Sequence, residues 1–102
     1  PQNILNLNSK TEVLLTQYLR AGKKIHLLLL RYPDVKEAGA ALQSFKRAYM
    51  PEVFEKGLLQ TEDKKWTATK KVNEFVLIVF GAGSEREGEE LIKETEKKIE
   101  EM

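Results

Sequence analysis

The stretch IHLLLLRYPDVKEAG (residues 25–39) joins a nearly unbroken apolar run to the start of a helix. A short apolar run that ends at a proline is typical of a buried β-strand, because proline cannot continue a strand ladder. Asp34 and Glu37 have the spacing of a capping box, in which each side chain accepts a hydrogen bond from a free N–H at the helix start. The stretch therefore predicts a strand followed directly by a helix.

The stretch FVLIVFGAGSEREGE (residues 75–89) follows the same plan fifty residues later, with Ser84 and Glu87 at the capping spacing. Each predicted helix also carries one stripe of apolar or small residues at helical spacing. The stripes are Val35, Ala38, Ala41, Leu42, Phe45 and Tyr49, and Gly88, Leu91, Ile92, Thr95 and Ile99. We interpret residues 13–49 and 66–99 as an internal repeat whose halves superpose about a two-fold axis, with Leu42 and Ile92 in a common core. The alternative to a repeat is that any joint between a strand and a helix has this pattern of strand, cap and stripe.

Each half of the repeat begins with a predicted β-hairpin. The four strands are residues 12–20, 24–32, 65–72 and 75–82. Gly22 supplies the positive φ that a tight turn needs, and Asn73-Glu74 makes the second turn. A short strand within residues 57–61 would pair with the second hairpin. The predicted fold is α+β: a four- or five-stranded antiparallel sheet with two helices on one face, similar to a permuted ferredoxin-like arrangement.

Size and composition narrow the class of protein. A chain of 102 residues is long enough for one domain with a modest core. Its 17 basic and 16 acidic residues give a net charge of +1. The electrostatic field of so small a charge is too weak to favour nucleic acid or an anionic membrane as a partner. No cysteine is present, which excludes disulfides. This fits either a protein of the reducing cytosol or an exported protein that folds without disulfides. No apolar run reaches the roughly 18 residues of a membrane span.

The chemistry that the residues offer is limited. Gly81-Ala82-Gly83 stands between a strand and a helix, like a phosphate-binding loop, but Arg86 replaces the third glycine and the acidic residues that follow would repel phosphate. His26 is the only histidine, so a metal site lacks ligands. Basic residues cluster near Trp66, yet the central strands lack the aromatic pair that would stack nucleic-acid bases. We therefore predict no catalytic residue, metal, cofactor or nucleic-acid partner.

The central strands predict a binding surface. An antiparallel sheet that is covered on one face alternates apolar and polar residues, but residues 27–30 and 75–80 do not alternate. Either this chain, which has only two predicted helices, covers both faces of these strands, or something else covers the second face. With both helices on one face, the second alternative is favoured, and a second subunit or a missing upstream domain would supply the cover. The predicted interface residues are Leu28, Leu30, Ile78 and Phe80. The predicted function is a non-catalytic binding or assembly module acting through this face.

An enzymatic or small-molecule pocket between sheet and helices is the alternative function. Its walls would be Tyr18, His26 and Trp66. A defined homodimer favours the assembly module, whereas a monomer with a deep polar pocket favours the enzyme.

LLLLRYPDVKEAGAALQSFKRAYMPE (residues 27–52) and EDKKWTATKKVNEFVLIVFGAGSEREGEELI (residues 62–92) resemble the C-terminal part of a family of uncharacterised bacterial proteins thought to be exported. The shared features are a strand ending in Tyr-Pro, an Ala-rich helix, a Trp-Thr-Ala strand and a final strand that leads into a helix. The resemblance implies an exported or periplasmic location and an upstream half that this chain lacks. It assigns no catalytic residue.

Overall fold

The computed structural model describes residues 5–20 and 22–101. The elements are β1 (Glu12–Arg20), β2 (Lys23–Arg31), α1 (Val35–Tyr49), a 3-10 turn (Pro51–Val53), β3 (Leu58–Gln60), β4 (Trp66–Val72), β5 (Phe75–Ala82) and α2 (Glu85–Glu100). The strands form one antiparallel sheet in the order β1-β2-β5-β4-β3. The predicted α+β class, with a five-stranded antiparallel sheet and two helices, is confirmed.

The turns and helix ends follow the local sequence. Gly22 and Asn73 have φ values of 76° and 54°, as the two hairpin turns require. The Asp34 Oδ1 atom accepts a hydrogen bond of 2.8 Å from the Glu37 N–H. Ser84 Oγ accepts one of 3.1 Å from the Glu87 N–H, so both predicted N-caps are confirmed.

The two helices lie on opposite faces of the sheet, which corrects the prediction that they share one face. The core around α1 contains Leu30, Tyr32, Ala38, Ala41, Leu42, Phe45, Met50, Val76 and Ile78. The core around α2 contains Ile25, Leu27, Ala68, Val72, Phe75, Leu77, Val79, Ala82, Leu91, Ile92 and Ile99. Because side chains alternate along a strand, β2 and β5 contribute to both cores. Each face of the central strands is therefore covered by a helix of the same chain.

The internal repeat is not supported. Leu42 packs in the α1 core and Ile92 in the α2 core, so residues 13–49 and 66–99 do not superpose as one strand-strand-helix unit. The central strands keep the two-fold relation, since the pairs Leu30 with Val76 and His26 with Phe80 are exchanged by the fifty-residue offset. In its helix placement the fold differs from the ferredoxin-like arrangement, which keeps both helices on one face.

A β-bulge in β5 accounts for the crossing of α2 to the second face. Ala68 pairs with Val79 and Trp66 pairs with Ala82, so β5 has two residues where β4 has one. Gly81 lies in this bulge with a φ of 81°, a conformation that glycine adopts without strain. The extra residue reverses the alternation, so that Ala82 joins Val79 in the α2 core.

No such insertion occurs in β2. Its pairing with β5 runs from His26 to Arg31 in one register. Tyr32, which stands fifty residues before Ala82, therefore stays on the face of Leu30 in the α1 core. One extra residue in β5 thus decides which face each helix covers.

Tyr32 links the α1 core to the segment that precedes β1. Its side chain is buried, with 2% of its surface exposed. The hydroxyl donates a hydrogen bond to the Leu5 carbonyl oxygen, and Leu5 packs against the same core. Burial disfavours the phenolate and raises the pKa of Tyr32 to about 12. Leu5, the first described residue, is therefore anchored to the α1 core.

Candidate functional site: the β1 edge

The predicted pocket is not assembled. Tyr18 and Trp66 pack against the α2 core. His26 lies on the other face, since it pairs with Phe80, whose side chain packs against the α1 core. The sheet itself separates the histidine from the two aromatic rings, and the three side chains do not line a common cavity.

The predicted interface is covered by α1. Leu30 and Ile78 have no exposed surface, so neither is available to a partner. Leu28 and Phe80 are half-buried on the same face. The Phe80 ring centre lies 6.3 Å from that of Phe45 and 6.2 Å from that of Tyr49 in edge-to-face contacts. The expected open face is therefore absent, and the missing alternation is explained by the chain's own helices.

The glycine-containing joint before α2 is closed to phosphate by its own helix. The Gly83 N–H donates a hydrogen bond of 2.8 Å to Glu87 Oε1, and the Glu87 N–H donates one of 3.1 Å to Ser84 Oγ. A carboxylate therefore occupies the place that a bound anion would take at a helix N-terminus.

Residues 5–20 and 22–101 contain neither a metal-binding cluster nor a helix that could span a membrane. No group of three or more His, Asp or Glu residues is arranged there to hold a metal ion. Neither described helix combines the length and the apolarity needed to cross a bilayer.

A groove of about 310 Å³ between β4 and α2 is lined in part by Lys56, Lys70, Lys93 and Glu89. Its positive charge is largely balanced within the chain. Lys70 Nζ lies 2.8 Å from Glu96 Oε1, and the Glu89 side chain also lines the groove. The groove therefore does not concentrate charge for an anionic ligand.

The most unusual surface of the chain is β1, which we call the β1 edge (Glu12–Arg20). Among the described strands, β1 pairs only with β2, so its other side has no neighbour. Four of the seven large hydrophobic residues that are exposed in the described chain lie on it. They are Val13 (51% exposed), Leu14 (58%), Leu15 (62%) and Leu19 (70%).

The position of the helices explains this exposure. Both α1 and α2 pack over β4 and β5, so β1 lies beside the helices and not beneath them. Val13, Leu15 and Leu19 share the face of α1, whereas Leu14 shares the face of α2 with Tyr18. The β1 edge is therefore apolar on both faces of the sheet, and only Tyr18 of this strand packs against a described core.

Charged residues mark the two ends of the β1 edge. Glu12 lies 4.0 Å from the Arg31 guanidinium, and Arg20 lies 3.6 Å from the Glu94 carboxylate. Both are exposed ion pairs of small energetic value, so their charges stay available to further partners. The edge thus presents a negative end, an apolar middle and a positive end.

A shallow groove runs beside the negative end of the β1 edge. It measures about 220 Å³ and includes Leu14, Leu29 and Phe75 in its walls. The Arg31 guanidinium lies 5.6 Å from the Phe75 ring centre, a cation–π contact that closes one side. The groove extends the apolar surface of β1 onto the α2 face.

Sequence reasoning identified β1 as a strand but missed its exposure. The signal was the run Val13-Leu14-Leu15, in which successive side chains point to opposite faces and all are apolar. Such a run fits a central strand equally well. Only the strand order, which places β2 and not β1 beside β5, distinguishes the two positions.

Comparison with known proteins returned no matching family model, no matching curated protein and no matching solved structure. The resemblance to a family of exported bacterial proteins stays a prediction.

Proposed function

We propose that this chain is a non-catalytic assembly module that binds an extended segment of a protein along the β1 edge. The observation that carries the proposal is the exposure of four large aliphatic side chains on one edge strand, whose outer side has no described neighbour. Patches of this kind on soluble proteins mark interaction surfaces. The partner's strand would extend the sheet.

Between its charged ends, the β1 edge lacks the features that keep natural edge strands from pairing. Such strands are usually short or carry lysine, proline or a bulge. β1 is nine residues long, has no Lys or Pro, and pairs with β2 without a register shift. At the opposite edge, β3 has only three residues. The two edges therefore differ, and only β1 is suited to receive another strand.

Strand addition supplies both affinity and specificity at such an edge. The free N–H and C=O groups of β1 would bond the incoming backbone, and its side chains would contact the rows on both faces. A non-catalytic role is favoured because the candidate pocket residues His26, Tyr18 and Trp66 are divided between the faces of the sheet.

Two valines of equal exposure allow a matched test. Val13 and Val35 are each 51% exposed, but Val13 is on the β1 edge and Val35 is on α1. We expect Val13→Lys to weaken binding, since a lysine on an edge strand opposes pairing, and Val35→Lys to leave binding unchanged. Both variants should keep the wild-type circular dichroism spectrum.

Binding would be measured in two ways on the full chain. Sedimentation over rising concentration reports self-association, and a display library of ten-residue peptides reports binding of extended segments. The wild type and Val35→Lys should show at least one of these activities, and Val13→Lys should show it more weakly. A wild-type chain that stays monomeric and retains no peptide, or a Val35→Lys chain that loses as much binding as Val13→Lys, would contradict the proposal.

A further inference from the structure

We infer that the segment bound by the β1 edge is β1 of a second copy of this chain, paired antiparallel about a two-fold axis at Thr16. This inference rests on the proposed function and names its partner. The pairing would join two five-stranded sheets into one continuous sheet. Backbone geometry, charge and side-chain matching each support it.

The backbone groups match in this register. In an antiparallel strand, the N–H and C=O groups of alternate residues point to opposite sides, so β1 directs one alternate set towards β2 and the other set outwards. Pairing about Thr16 places Val13 opposite Leu19 and Leu15 opposite Gln17. Every odd-numbered residue of one copy therefore faces an odd-numbered residue of the other. The outward set of one copy therefore meets the outward set of the other.

The charges match as well. The same register places Glu12 of each copy opposite Arg20 of the other, so two opposite-charge pairs close the two ends of the junction. Existing ion pairs are extended and not broken, since Arg31 flanks Glu12 and Glu94 flanks Arg20. Each end would carry a row of charges of alternating sign.

The exposed apolar side chains also find apolar partners. Val13 would face Leu19 on the α1 side, and Leu14 would face Tyr18 on the α2 side. Directly opposed side chains in an antiparallel pair share one face and are in contact. Three of the four exposed aliphatic residues of β1 would thus meet an apolar side chain of the second copy.

Other alignments fit less well. A shift by one residue would place the residues whose backbone groups point outwards opposite residues whose backbone groups are already bonded to β2. A shift by two residues places Lys10 opposite Arg20 in one direction, and leaves Leu14 opposite Arg20 in the other. A parallel in-register pair would stack Glu12 on Glu12 and Arg20 on Arg20, which is unfavourable for like charges.

Engineered cysteines test the register, because the natural chain has none. Thr16→Cys places two thiols directly opposite each other across the proposed axis. We expect it to form disulfide-linked dimers roughly tenfold faster or more than Gln60→Cys, an exposed control on β3, because pairing raises the effective thiol concentration.

A mixture of two other variants gives an independent measure. Glu12→Cys alone should not cross-link, because its two thiols would stand roughly 26 Å apart at 3.3 Å per residue, and the same holds for Arg20→Cys alone. Mixing the two variants should produce the mixed disulfide. This readout does not require Thr16→Cys to fold.

The outcomes separate the inference from the proposed function. Cross-linking of Thr16→Cys and of the mixture, with self-association of the wild type, supports the second copy. A wild type that binds library peptides through β1 but gives neither cross-link overturns the second copy and leaves the edge-binding function standing. Cross-linking of Glu12→Cys with itself in preference to the mixture would overturn the antiparallel register.

Discussion

Leu77 and Ile78 are adjacent residues of β5, and each is completely buried in a different core. Leu77 packs towards α2 and Ile78 packs towards α1. This relationship explains why the strand has no polar alternation: both of its faces are covered within one chain. The two-sided burial that suggested a partner for the sheet face in fact reflects two helices on opposite sides.

Truncation of either residue should therefore be strongly destabilising. We expect Leu77→Ala and Ile78→Ala each to lower the free energy of unfolding by about 2–5 kcal/mol, the range for large aliphatic residues in packed cores. Urea denaturation of the full chain measures both. Leu15→Ala, at a site 62% exposed, is the control and should change the value by less than about 0.5 kcal/mol at low protein concentration. A small effect at only one of the two buried sites would indicate that its face is not covered.

Any side chain at Gly81 should be destabilising. Its φ is 81°, and an added Cβ would lie 3.3 Å from the Lys24 carbonyl oxygen. We expect Gly81→Ala to destabilise the chain by about 1–2 kcal/mol, the usual penalty for a left-handed L-residue. Gly39→Ala is the matched control, since a Cβ there meets only the flexible Lys71 chain at 3.8 Å and should stabilise α1 by about 0.5–1 kcal/mol. Equal effects of the two substitutions would contradict the bulge assignment.

The N-caps should each contribute measurably to stability. Asp34→Ala and Ser84→Ala remove the oxygen that accepts the Glu37 or Glu87 N–H, and we expect a loss of about 1 kcal/mol in each case. Asp34→Asn keeps an acceptor oxygen and should lose much less. Thermal or urea unfolding gives the comparison, and an alanine variant as stable as the wild type would place that helix start elsewhere.

Tyr32 should make stability depend on alkaline pH. Its pKa rises from 10 to about 12 on folding, so the folded state holds this proton more tightly than the unfolded state. The stabilisation is complete below pH 10 and is lost as the pH rises through about 12. We expect the wild type to lose stability over this window more steeply than Tyr32→Phe, which has no ionisable group at this site.

Denaturation at several alkaline pH values measures that difference. Tyr32→Phe should also be less stable than the wild type at neutral pH by about 0.5–1.5 kcal/mol, because it lacks the hydrogen bond to Leu5. Parallel pH profiles for the two proteins would mean that Tyr32 is not sequestered in the core.

The local features of the fold were predictable because they depend on neighbouring residues. Asp34 and Ser84 determine the helix starts through hydrogen bonds three residues away. Gly22 determines its turn through its own φ. The short strand β3 was also predictable, since it pairs with β4 after a brief turn. The spacing of residues along the chain is therefore enough to predict the helix starts, the turn and the short strand.

The placement of the helices was not predictable from the same spacing. The fifty-residue correspondence between Tyr32 and Ala82 holds in sequence but not in space, because the bulge at Gly81 reverses the alternation between them. A glycine at a strand end fits a loop as well as a bulge, and the choice depends on the strand that pairs with it. The position of β1 at the edge likewise depends on long-range pairing.

The two edges of the sheet differ in strand length, and this difference limits how many chains could associate through them. An added chain finds nine residues to pair with at β1 but only three at β3. If β1 is used by a symmetric junction, each outer boundary of the enlarged sheet would consist of β3, which has only three residues, and of the end of β4 beyond it, which carries Lys70 and Lys71. Such a boundary is poorly suited to recruit another chain. Association of this kind would stop at two chains, and growth into a fibre would require a contact of a different type.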